Sequence, residues 1–302
     1  MNYAAVNAKV NAMRAKLLTP QDYEVMNRFK SADEIVEWLA QSADNASGFR
    51  QAVHGFDTLD EPFSTANSLG SRHFLLTQTT GYLYQTVSKA AASICFFIPD
   101  KAMIDFVMTM ASTNDYSINY YTSQWRQLSQ LDRPNKTALR SILGAEIDLT
   151  NILWMYRLKR YHRIRGDLTY GYLVPVRYGL SQAVTMGMAE CESPKALLEE
   201  IARSPYAADI RITPPFAEWS GTSQHGGASQ CGGTSQYGGT SHLHHLTPEQ
   251  QLTLAIEKRY KAAATQHPDT LAPTLAYLHK KKQEVQAITR ILENKLQQKM
   301  YK

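Results

Sequence analysis

Residues Leu139 to Tyr161, LRSILGAEIDLTNILWMYRLKRY, constrain the fold more than any other stretch of the chain. Leu149, Ile152, Leu153 and Tyr156 recur at the three-and-four spacing of one helical face, and Trp154, Met155 and Leu158 make the remaining faces apolar as well. Glu146 and Asp148 open this apolar run and Arg157, Lys159 and Arg160 close it, the order of signs that a helix macrodipole favours. A helix that is apolar all round belongs inside a core, so its polar residues need partners. Asp148 and Asn151 lie one turn apart, and each would cost about 1–3 kcal/mol if buried without one.

The pattern returns near the C-terminus in LAYLHKKKQEVQAITRILENKL. Setting Asp148 on Glu284 places Leu149 on Val285, Ile152 on Ile288, Met155 on Ile291 and Lys159 on Lys295, while Asn151 faces Ala287. A second echo pairs SADEIVEWL at Ser31 to Leu39 with SPKALLEEI at Ser193 to Ile201, each a serine cap followed by an apolar helical pattern. Together the echoes predict an internally duplicated all-α protein whose repeating unit is a helical hairpin.

No apolar run approaches the roughly 18 residues that a membrane span requires, and the longest, AAASICFFI, ends at Pro99. Cys95, Cys191 and Cys231 are odd in number and far apart, which argues against a disulfide framework and fits a reducing compartment. The net charge of +5 permits an acidic partner, a lipid surface or nucleic acid without choosing among them. Acid-free and carrying Lys9, Arg14 and Lys16, the segment before Asp22 reads as a first helix with a basic face rather than a transit peptide, which would be richer in Ser and Arg.

Along the chain, helices are expected over 3–18, 21–29, 32–41, 74–97, 102–112, 115–131, 139–161, from 181, 193–203, from 248 and 273–298. Glu34 stands at capping-box spacing from Ser31, residues 45–71 read as loops and short helices, and 173–180, with Pro175 and Gly179, reads as an extended crossing. Tyr116, Tyr120, Tyr121 and Trp125 form an aromatic stripe expected in the core. Residues 220–243 are four hexapeptides, SGTSQH, GGASQC, GGTSQY and GGTSHL, without one charged residue, the composition of a flexible linker.

Few residues point to chemistry. His225, Cys231, His242, His244 and His245 ride on or beside the glycine-rich repeat, with neither paired ligand spacing nor a helix to fix them, so no metal site is expected there. Phosphate-loop, dinucleotide, nucleophile-elbow and His-Glu-x-x-His motifs are absent, and His54 and His73 stand alone. The run Lys280-Lys281-Lys282 reads as a solvated face ahead of a phosphate-binding one. No catalytic residue, cofactor or metal is expected.

Three of these stretches, LRSILGAEIDLTNILWMYRLKRY, LVPVRYGLS and PTLAYLHKKKQEVQAITRILENK, resemble the C-type subunit of bacterial and archaeal V/A-type ATPases, a family shared with the d-type subunit of the eukaryotic V-ATPase. The opening YAAVNAKVNAMRAKLL and the serine-capped helix ending EIVEWL are similar to that family's N-terminal copy, so the likeness covers about residues 3–216 and 248–300. The insertion at 217–247 departs from the family pattern, as do Ala287 and Thr289, where an Asn and an Arg are expected.

The resemblance implies one domain over 1–302, a funnel of three similar helical lobes with pseudo-threefold symmetry. It implies a non-catalytic socket joining the central-stalk subunits to the membrane rotor ring on the cytoplasmic face and passing torque for proton or sodium transport, without a membrane span or nucleic acid of its own. Arg14, Lys16, Arg157, Lys159 and Lys281 are the candidate interface residues; Glu146, Asp148, Asn151 and Glu284 are expected to be buried polar groups that fix helix packing. A competing reading makes Glu146, Asp148, Arg157 and Lys159 intramolecular ion pairs. The alternative function is a helical adaptor or nucleic-acid-binding module that uses the basic C-terminal helix.

Overall fold

The computed structural model describes residues 3–41, 69–111, 117–162, 164–209 and 246–300, and every regular element among them is a helix. Of the expected loops and short helices at 45–71, residues 69–71 already belong to a long helix, while residues 45–68, the hexapeptide repeat, Tyr116 and the histidines and cysteine of the low-complexity segment lie outside the described residues. In chain order the α-helices are α1 (Tyr3–Arg14), α2 (Pro20–Arg28), α3 (Ala32–Gln41), α4 (Leu69–Cys95), α5 (Lys101–Ala111), α6 (Ile118–Gln127), α7 (Arg133–Arg157), α8 (Gly166–Gly171), α9 (Gln182–Glu190), α10 (Pro194–Ile201), α11 (Pro248–Gln266) and α12 (Ala272–Met300). A single 3₁₀ turn, Leu128–Gln130, follows α6, and a π turn, Leu158–His162, extends α7.

The helices form two compact units, one of Met1–Asn114 with Pro273–Lys302 and the other of Asp115–Ala272. In the first, α1 packs on α4 and α4 on α5, and Val10, Met26, Ile35, Val87, Ile94 and Phe106 are fully buried. In the second, α11 lies along α7, and Leu149, Ile152 and Met155 meet Leu197, Ile201 and Leu252 in one cluster. Fully burying a side chain of this kind contributes about 1.5–3 kcal/mol. Tyr121 is 2 % exposed and completes the expected aromatic core, whereas Trp125 sits only partly buried at its edge.

Several boundaries move for local reasons. Helix α1 ends at Arg14, short of the expected Leu18, and Pro20 starts α2 behind a Thr19 cap. α7 begins at Arg133, earlier than expected, because the Asp132 carboxylate accepts the Asn135 N–H at 3.3 Å and Pro134 suits a first turn. α4 stops at Cys95, which leaves Phe96 86 % exposed where a helical continuation was expected. The crossing at 173–180 is non-helical as expected, and α8, which no apolar period announces, precedes it.

Candidate functional site

The polar groups that interrupt the apolar face of α7 all turn inward, and each ties a distant segment to the helix. Asp148 is 1 % exposed, and its Oδ2 accepts the N–H of Gly179 at 2.6 Å, the N–H of Leu180 at 3.1 Å and the Tyr206 hydroxyl at 2.8 Å. Burial pushes this carboxyl above its ordinary range, while the donors from Tyr206, Gly179, Leu180 and Tyr178 pull it back. Tyr206 is in turn held under the Arg259 guanidinium, 5.2 Å from the ring centroid, and Arg259 pairs with Asp209 at 2.6 Å. Glu146, 5 % exposed, accepts the hydroxyl of the buried Tyr260 at 2.5 Å, which fastens α11 to α7.

Asn151 serves the crossing from both ends of its amide. Its Oδ1 accepts the Val174 N–H at 2.8 Å, and its Nδ2 donates to the Val174 carbonyl at 3.2 Å. Val174 lies outside any helix, so its backbone groups have no ladder to join; a buried Asn supplies both missing partners.

At the far end of α7, Lys159 is 5 % exposed and donates to the Ala189 carbonyl at 2.6 Å, near the C-terminus of α9. That placement answers unpaired carbonyls and the negative end of the helix dipole together. Burial lowers the ammonium below its ordinary range. Lys159, expected at an interface, thus spends its charge inside the unit. Arg157 remains half-exposed and pairs with Glu249 at 3.1 Å, and Arg160 donates to the Tyr156 hydroxyl at 2.8 Å. Of the residues that the competing reading makes intramolecular ion pairs, Arg157 forms one with Glu249, while Asp148 and Lys159 bond backbone groups and a tyrosine.

The first unit carries the same device. Glu284 on α12 accepts the Leu18 N–H at 2.7 Å and pairs with Lys281, and Lys295 donates to the Asn27 carbonyl at 2.8 Å. Two constant offsets relate the units. One of 136 residues takes Asp148 to Glu284 and Lys159 to Lys295; one of 162 takes Leu18 to Leu180, Thr19 to Ser181, Asn27 to Ala189 and Ser31 to Ser193. In both units an acid on a long helix holds the residue before the cap of a short helix, and a lysine eleven positions later holds a carbonyl near that helix's end. Thr19, Ser31, Ser181 and Ser193 all accept the N–H three residues on, as caps do.

The offset also accounts for Ala287, which stands where an Asn was expected. Val174 corresponds to Ala12, and Ala12 lies exposed in the last turn of α1, where water reaches its backbone. No side-chain amide is needed there, so alanine suffices.

Of the other expected interface residues, Arg14 and Lys16 are exposed, and Lys281 is largely covered and paired with Glu284. Within the run Lys280-Lys281-Lys282, Lys282 is 3 % exposed and only Lys280 reaches solvent freely. The run is a packed segment rather than a solvated face, and three neighbouring ammonium groups are not presented to a phosphate backbone. Sequence reasoning missed Tyr206 and Tyr260; an isolated tyrosine outside any motif carries no signal that its hydroxyl meets a buried acid.

Among the described residues, no three His, Cys, Asp or Glu side chains converge as a metal centre would need, and no helix is long and apolar enough to cross a membrane. The model of the ATP synthase (C/AC39) subunit family matches residues 113–300. No curated protein matches the chain.

Proposed function

The chain belongs to the ATP synthase (C/AC39) subunit family, and from that premise we propose that it is a non-catalytic coupling subunit of a V/A-type rotary ATPase, a socket joining the central stalk to the membrane rotor ring. The observation that carries this reading is the clamp repeated in both units. Each short helix is tied near both ends to a long one, by Asp148 and Lys159 in one unit and by Glu284 and Lys295 in the other. Ties at both ends oppose sliding along the long-helix axis, and packed interiors deform little under load. A part that must pass torque by shape needs that resistance; a part that performs a reaction does not.

In this reading the units belong to a funnel of three similar lobes, the insertion at 217–247 loops out from the third, and the chain sits peripherally on the cytoplasmic face. Arg14 and Lys16 are the contacts offered to stalk or ring, with Arg157 joining them if Glu249 releases it. The adaptor and nucleic-acid alternative loses its best feature with the burial of Lys282 and the pairing of Lys281.

The test is recovery of tagged chain from native membranes, followed by transport assays on the assembled complex. Stalk and ring subunits should copurify, and complex carrying Asp148→Ala should pump fewer ions per ATP hydrolysed. Recovery of unrelated partners or RNA in their place, or saturable binding of a nucleotide by the isolated chain, would count against the reading.

A further inference from the structure

The first unit holds a cavity of about 480 Å³ between α1, α3, α4 and α12 that the clamp does not explain. Its volume falls within the range of small-ligand sites, about 300–1,000 Å³. Leu39, Leu83, Val285 and Ile288 form an apolar lining. Thr86, Ser93 and Tyr277 also line it, and the two aliphatic hydroxyls are already engaged by their own helix: Thr86 donates to the Leu83 carbonyl at 2.6 Å and Ser93 to the Ala90 carbonyl at 2.9 Å. The body of a ligand lodged here meets hydrocarbon.

The ionic lining is one-sided. Among the described residues that line it, Lys9, Lys16, Lys89 and Lys281 meet one carboxylate, Glu284. That carboxylate is consumed, one oxygen by the Leu18 N–H and the other by Lys281. Lys9 is on α1 and Lys16 in the turn just past its end, and Lys16 and Lys89 are exposed. Positive charge therefore gathers where the apolar cavity meets water.

We propose that this cavity binds a single-chain anionic amphiphile, a fatty-acid carboxylate, with its alkyl chain on Leu39, Leu83, Val285 and Ile288 and its head beside Lys9 and Lys16. Lysine ammonium groups on the rim hold such a head as point charges, without a bidentate fork. Binding at the site needs only the chain itself, and Lys16 is the residue it shares with the proposed coupling contacts.

Calorimetric titration of the full chain with sodium laurate, below its micelle concentration, tests the proposal. We expect saturation at one site, binding of dodecanol at least about fivefold weaker, and loss of about fivefold in laurate affinity for Lys9→Ala/Lys16→Ala, as two solvent-facing charge contacts would give. Thr86→Trp fills the cavity from a half-buried position and should abolish binding while its helical circular dichroism persists. Should that variant fail to fold, the lysine pair on the rim decides. The proposal is overturned by titrations that never saturate, by equal affinity for dodecanol, by lysine variants that bind as the parent does, by binding that survives in folded Thr86→Trp, or by a clear preference for dodecyl phosphate.

Discussion

Tyr206 gives its hydroxyl hydrogen to Asp148 Oδ2 at 2.8 Å, the same oxygen that receives the N–H groups of Gly179 and Leu180. One carboxylate oxygen thus gathers donors from the crossing and from the turn after α10. Removing it in Asp148→Ala leaves two backbone donors and a hydroxyl without their acceptor, so a loss of about 3 kcal/mol or more is expected. Asp148→Asn retains one accepting oxygen and should lose less. Urea unfolding decides the matter, and a loss under about 1 kcal/mol for the alanine variant would mean that the clamp holds little.

The two lysines at the other end of the clamps should differ in magnitude, though they make the same bond. Lys159 is 5 % exposed, whereas the bond from Lys295 to Asn27 lies at the surface. Truncating Lys159 to alanine strands a buried carbonyl and empties the space of its stem, an expected cost of about 2 kcal/mol. Water replaces Lys295 readily, and Lys295→Ala should cost less than about 1 kcal/mol. Equal losses in thermal unfolding would deny that burial sets the strength of the clamp.

The clamps explain which parts of this architecture the sequence disclosed. Asp148, Glu284, Lys159 and Lys295 are charges in apolar helices, and such outliers keep their register visible after the surrounding residues have diverged. Their partners are backbone N–H and carbonyl groups of Leu18, Leu180, Asn27 and Ala189, which any residue type supplies; the sequence therefore carries the acid and the lysine but not the other half of either bond. Lys159 looked like an interface cation because a basic residue at a helix end is usual on surfaces too. Lys282 looked exposed because two lysines precede it, yet the helical turn carries it 100° round from Lys281 and into the packing.

Gly144 in α7 lies beneath the Tyr178 ring. A Cβ there would sit 2.3 Å from Tyr178 Cγ and 2.8 Å from Tyr178 Cβ, so any larger residue must expel that side chain. Tyr178 also meets Trp125 edge-on, with ring centroids 6.5 Å apart, and Arg140 stacks on the far partner at 5.0 Å. Gly144→Ala should destabilise by about 1–3 kcal/mol, the usual range for overpacking, despite alanine's better helix propensity. Trp125 fluorescence should shift in step as its neighbour leaves. In Gly144→Ala/Tyr178→Ala the clash has no object, and the glycine substitution should become neutral or favourable. A double-mutant cycle with additive terms would rule out the contact.

His279 sets a pH dependence whose direction follows from its surroundings. Burial first, and then the charge of Lys282, push its ring down to about 3 from the ordinary 6.5. Between those values the unfolded chain binds a proton that the folded chain refuses, so the stabilisation is complete above about pH 6.5 and is lost as pH falls toward 3. One such group gives at most about 1.4 kcal/mol per pH unit, and the partial exposure of this ring reduces that to about half. The Gln283 side chain lies 3.0 Å from His279 Nε2, a polar contact that His279→Gln can keep without a titrating group. Chemical denaturation at pH 7 and pH 5 should show the parent losing about 1 kcal/mol more than the variant. Parallel losses in the two proteins would mean that the ring gains its proton in the fold as easily as in the open chain.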